Sequence, residues 1–274
     1  MSSTHSFRRR RAALLLIILS LSMGVSSCAS SGKKAVRDDA GNELSLIEET
    51  AHGLFYSPES DDGVRDMIRI LSQEFENQEQ RITELFNYHS DKKTVIHVYA
   101  EVSQFYDVVG RVTEGTYDLD DNTIKIYTPL NLSSPSVRSE YVFQLIHEFV
   151  HSVIQQINSK IGQVKWLDEG TAYYASGQLE AELKSPTRHP VFPDFEQVAS
   201  PSFFDVFNQS AYFYSGTIVK FITDKYGQES LNKVIRNPDH FEELLNVSFQ
   251  TFYEEWKAWS NHSLMSIVKE NFSG

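Results

Sequence analysis

LIHEFVH, residues 145–151, sets two histidines four apart with a glutamate directly after the first. Around it, Val142, Leu145, Ile146, Phe149, Val150, Val153 and Ile154 recur at three- and four-residue intervals. That spacing predicts one helix across VRSEYVFQLIHEFVHSVIQQI, 137–157. Residues four apart on a helix share a face, so His147 and His151 can aim both imidazoles at one ion. Zinc takes such nitrogens at about 2.0–2.1 Å. Glu148 is rotated by about 100° from His147 and so flanks the ion, where a proton-accepting base belongs. Two histidines leave a hydrolytic zinc site one protein ligand short. The competing reading is an amphipathic helix whose imidazoles are hydrogen-bonded in a core, and a motif this short does not decide between the two.

The stretch WLDEGTAYYASG (166–177) supplies the missing element. A second helix is expected to begin near Asp168, as its cap, and to run to about Leu183. Seventeen residues lie between His151 and Glu169. They give the chain room to leave the first helix, turn and return beside it. Glu169 is then a third ligand; the bland reading is a solvated charge favoured by the helix dipole.

The pair of motifs resembles the gluzincins, zinc peptidases whose third ligand is a glutamate on the helix after the H-E-x-x-H helix. The zinc aminopeptidases carry a similar W-L-x-E-G-x-A run. Residues 50–260 as a whole resemble the small peptidase-MA-like domains of bacterial secreted proteins. AYFYSGTIVKFITDKYG (211–227) is similar to a later segment of those domains. The resemblance implies an α+β, zincin-like fold: a small N-terminal mixed sheet with a helix, then a mostly helical part carrying both motif helices. It implies one zinc ion held by His147, His151 and Glu169, with Glu148 as general base in peptide hydrolysis. A tyrosine facing the ion is also implied, with Tyr214 placed slightly ahead of Tyr212. His189 is a further candidate donor to the oxyanion. Three departures limit the likeness. No G-x-M-E-N run is present to grip a substrate amine, and the glutamate spacing is one residue tighter. Nor does N-E-x-x-S-D follow, since Ala172 and Tyr173 stand three and four residues after Glu169. Asp168 is a candidate to orient a ligand histidine, or only a helix cap.

The beginning of the chain reads differently. Arg8 to Arg11 precede the apolar stretch AALLLIILSLSMGV (12–25), then Ser26, Ser27 and Cys28. A basic run, a short apolar region and small residues describe an export signal over 1–27, and the apolar region is short for a membrane span. V-S-S-C resembles the bacterial lipobox, which implies lipidation at Cys28 and a membrane anchored through lipid. The alternative is a plain cleaved signal or an uncleaved N-terminal anchor, with Cys28 incidental. Cys28 is the only cysteine, so no internal disulfide can form in the extracytoplasmic location that the signal implies, and acylation would consume its reactive thiol. Residues 28–48 are expected to be a flexible polar tether, and 49–274 one metallopeptidase domain.

Charge narrows the partners. The chain holds 25 basic and 37 acidic side chains, and four of the basic ones lie in the leader. So acidic a body, without a basic stripe, is no nucleic-acid binder. A peptide or protein substrate is the expected partner. The rival functions are a non-catalytic zinc-binding envelope lipoprotein that holds a partner in its cleft, and a structural protein with empty histidines.

Between the two ends, a helix is expected from Asp62 to about Asn87 and a strand at 94–100. A hairpin is expected from Gly115 to 129, and further helices near 210–226, 229–236 and 249–270. Four of the eight prolines fall at 186, 190, 193 and 201, which indicates a long loop.

Overall fold

The computed structural model of the chain describes residues 36–184 and 191–271, with side chains described as far as 262. Cys28 and the expected leader lie outside the described residues, as does His189. The fold is α+β, with one mixed sheet and helices packed on it.

Three strands open the described chain: β1 (Val36–Arg37), β2 (Glu43–Glu49) and β3 (Gly53–Ser57). This corrects the expected tether, because 36–48 belongs largely to the sheet. The charges that suggest a solvated tether have partners in the fold. Asp38 Oδ1 accepts from the Asn42 amide at 2.8 Å and closes the β1–β2 turn. The Tyr99 hydroxyl donates to Asp38 at 3.2 Å, and Lys125 Nζ donates to Asp39 at 2.8 Å. Ala35–Gly274 form one compact unit.

The first long helix, α1 (Asp62–Leu85), is capped by Asp61, whose side chain accepts from the Val64 amide. It buries Val64, Met67, Ile68, Leu71 and Phe75, the stripe that its spacing marks out. Next come β4 (Thr94–Tyr99), α2 (Val102–Val109), β5 (Gly115–Asp118) and β6 (Thr123–Tyr127). The sheet order is β1-β2-β3-β4-β6-β5, with β3–β4 and β4–β6 parallel and the other pairs antiparallel. The β5–β6 hairpin forms as expected, but β5 is the sheet edge and β6 lies one strand in. The edge on this side of the sheet is therefore 115–118 and not 123–127.

Helix α3 (Pro135–Ile157) carries the two-histidine motif. Proline at its start costs no hydrogen bond, because the first helical amides have no partner within the helix. All ten residues from Leu145 to Ile154 are buried, so this half of α3 lies between the sheet and the remaining helices. Phe149 meets Phe75 edge-on at 4.9 Å between ring centres, which joins α3 to α1 over the sheet.

A 3₁₀ turn at Ile161–Gln163 leads into α4 (Lys165–Ala175) and α5 (Gln178–Leu183). The single helix expected from Asp168 to Leu183 therefore starts earlier and breaks at Gly177, which sits at φ +93°. Short helices α6 (Phe195–Ala199) and α7 (Phe203–Phe207) precede α8 (Gln209–Tyr226). The remainder is α9 (Gln228–Arg236), α10 (Phe241–Leu245) and α11 (Phe249–Asn271). Among the described residues no helix is long and apolar enough to cross a membrane.

α4 and α8 cross at close quarters. A Cβ on Gly170 would lie 2.5 Å from the carbonyl oxygen of Ser215. Backbone cannot yield as a side-chain end does, so only glycine permits this crossing, and Glu169 is the residue beside it. Gly170→Ala is expected to lower stability by about 1–3 kcal/mol, the usual cost of overpacking a tight contact. Thermal or chemical denaturation measures it; an unchanged midpoint contradicts the tight crossing.

Candidate metal centre

α3 and α4 bring three ligand atoms to one point. His147 Nε2 and His151 Nε2 are 3.1 Å apart. Glu169 Oε2 lies 3.4 Å from each of them. A tetrahedral ion with bonds of about 2.0–2.1 Å requires ligand–ligand separations of about 3.3–3.4 Å. The triangle fits that requirement before any ion is added. Both histidines are buried, and Glu169 keeps 23% of its side chain exposed, which leaves an approach from the cleft.

The outer nitrogens explain why the inner ones converge. His151 Nδ1 is 2.9 Å from Asp168 Oδ1, and His147 Nδ1 is 2.7 Å from Gln178 Oε1. Both partners are acceptors, so each Nδ1 carries the hydrogen and each neutral ring presents its Nε2 lone pair inward. Two lone pairs and a carboxylate facing one another at this range repel unless a cation lies among them. The donor set and its geometry therefore fit a metal ion.

Without metal, a proton fills that role. Burial disfavours a charged His151, but Asp168 and Glu169 outweigh it and raise its pKa well above the ordinary 6.5. Burial pushes the Glu169 carboxyl up, yet His151 and His147 hold it well below the usual carboxylate range.

Glu148 lies beside the triangle, buried, with Oε1 accepting from Gln144 Nε2 at 2.7 Å. Burial raises its pKa; the two histidines oppose that and Glu169 adds to it. Edge strand β5 passes directly over it. A Cβ on Gly115 would come within 2.8 Å of Glu148 Oε1 and of Gln144 Nε2. Glycine at 115 thus lets the strand edge and the glutamate share one cleft of about 520 Å³.

The two tyrosines part company. Tyr212 lines this cleft, and its pKa rises to about 12 through burial and the nearby Glu169 and Glu148. Its hydroxyl therefore stays protonated and can donate. Tyr214, two residues on and turned to another helix face, is buried at 3% exposure. Its ring lies 5.2 Å from that of Phe192 and 6.3 Å from that of Trp256. The preference for Tyr214 over Tyr212 is corrected: Tyr214 is core packing. Asp168 is likewise no cap, since it lies within the first turn of α4 and turns its side chain to His151.

Sequence reasoning missed Gln178 and Gly115, neither of which belongs to a recognisable motif. A second acidic group, Asp39, Asp118 and Asp121, also has ligand-like spacing. Its centre is taken by Lys125 Nζ, at 2.8, 3.1 and 3.2 Å from the three carboxylates, so its charge is already met.

No family model matches this chain. No curated protein matches it either. The chemistry rests on the geometry of this site.

The proton on His151 sets a sign for pH effects. Because its folded pKa is raised, that proton stabilises the metal-free fold fully below about pH 6.5 and is lost as pH climbs through the raised value. A metal needs the neutral ring, so binding releases the proton and strengthens with pH. The rise in Tm on adding zinc is expected to be larger near pH ~8 than near pH ~5.5. Calorimetry at both values tests this, and an equal shift at both contradicts metal–proton competition at the site.

Proposed function

We propose that the protein is a zinc-dependent peptidase of the gluzincin type, anchored outside the cytoplasm through lipid at Cys28. The observation that carries this reading is a three-ligand triangle with a buried glutamate beside it and an open strand edge above it. His147, His151 and Glu169 would hold the ion. Bound there, zinc supplies Lewis acidity, lowering the pKa of water to about 7 and polarising a carbonyl.

The chain's own groups do the rest. Glu148, ionised and fixed by Gln144, takes a proton from water as its oxygen bonds to the scissile carbonyl carbon. It then gives that proton to the amide nitrogen as the C–N bond breaks, leaving a carboxylic acid and an amine. Its raised pKa suits both halves of this exchange. Tyr212 donates to the carbonyl oxygen as negative charge develops there. An extended substrate adds to the free edge of β5, since the backbone groups of an edge strand are open to a partner. Gly115 keeps that edge within reach of Glu148.

Glu148→Gln keeps the volume and the Gln144 neighbour but removes the base. It is expected to lose activity by about 10²–10⁴-fold in a peptide-library cleavage assay while binding zinc as before. Cleavage at the wild-type rate overturns the mechanism. A wild type that binds zinc yet cleaves nothing in the library points to the partner-binding alternative. In the same assay, Tyr212→Phe is expected to lower kcat by about 10²–10³-fold, the scale of one lost oxyanion donor, and Tyr214→Phe to leave it near wild type. The reverse order contradicts the placement of Tyr212.

A further inference from the structure

Each ligand histidine is backed by a different chemistry. Asp168, adjacent to Glu169 on α4, backs His151. The same helix offers nothing equivalent to His147. Three residues after Glu169 stands Ala172, fully buried, and after it Tyr173, whose hydroxyl donates to Glu182. The chain instead breaks α4, turns, and returns Gln178 to the metal helix.

The turn is built for this. Gly177 adopts φ +93°, where other residues are strained, and a Cβ there would lie 3.2 Å from the Phe143 ring. Phe143 is one helical turn before His147, so the corner sits on α3 just N-terminal to the ligand. The Ser176 hydroxyl donates to Gln178 Oε1 at 3.1 Å, and the Gln178 backbone N–H donates back to Ser176 Oγ at 3.4 Å. Gln178 Oε1 then accepts from His147 Nδ1 at 2.7 Å. The side chain turns Oε1, an acceptor, to the ring, so Nδ1 is the donor of this pair. An oxygen there holds the hydrogen on Nδ1 and leaves Nε2 free for the ion. The flipped amide would favour the opposite tautomer and abolish the ligand.

We infer that Gln178, locked by Ser176 and Gly177, is a positioning residue that orients His147 and fixes its tautomer for metal binding. The inference rests on the metal reading of His147, His151 and Glu169. Its content is that an uncharged amide, reached across a helix break, does for one ligand what a carboxylate does for the other.

The full chain is titrated with zinc against a chromophoric chelator competitor as wild type, Gln178→Met, Gln178→Ala and Gln178→Glu. Gln178→Met keeps the side-chain length but removes the acceptor, and Gln178→Ala covers the case in which methionine disturbs packing. Both are expected to bind zinc about 10–100-fold more weakly, with metal-free Tm close to wild type. Gln178→Glu, which restores an acceptor, is expected to bind at least as tightly as wild type. Cobalt-loaded Gln178→Met is expected to show a shifted visible band, because the ligand field changes when His147 turns. A purely structural role does not produce rescue by glutamate together with a spectral change. Wild-type affinity in the methionine and alanine variants overturns the inference and leaves the metal site standing. A wild type that binds no zinc overturns the metal reading, and this inference with it.

Discussion

Two imidazole lone pairs and a carboxylate oxygen face one another across 3.1–3.4 Å, and the rest of the site is arranged to hold them there. Left alone they repel, and in a buried place with little water to screen them the repulsion is large. The fold keeps them together by anchoring each imidazole from behind. It seats α4, which carries Glu169, against α8 at the separation that the Gly170–Ser215 contact permits. Such an arrangement is stable only around a cation. A proton on His151 serves when metal is absent, at the price of a pH-dependent fold.

The same economy of charge runs through the neighbourhood. Glu148 is buried against two histidines that temper, without abolishing, the cost of its ionisation. A carboxyl group so placed has its pKa raised, whereas the charge of the Asp39–Asp118–Asp121 group is met by Lys125. His147, His151 and Glu169 share ligand-like spacing with that aspartate group. What separates them is whether a lysine already occupies the centre.

Much of this was legible in the residues, for identifiable reasons. The motif helix and α8 announce themselves through apolar periodicity, and Glu169 through its spacing from His151. What escaped depends on contacts distant in sequence. Asp38 and Asp39 look like tether charges until Tyr99 and Lys125, some sixty and eighty-six positions away, become their partners. Asp168 has the composition of a cap, but its carboxylate is drawn to a buried ring N–H. Tyr212 and Tyr214 are two residues apart and so point about 200° apart on a helix; which one faces the cleft depends on the roll of α8. That roll is set by Gly170 and Gly216, small residues whose use becomes apparent only when the helices touch. Gln178 lacked even a spacing rule, because a helix break at Gly177 restarts the count.

The central claim, that this triangle is a metal site, is tested most directly by anomalous diffraction at the zinc absorption edge from crystals grown with zinc. One strong peak is expected among His147 Nε2, His151 Nε2 and Glu169, with the two Nδ1 atoms still turned to Gln178 and Asp168. Crystals that show no peak there, or only zinc elsewhere on the molecule, contradict the account.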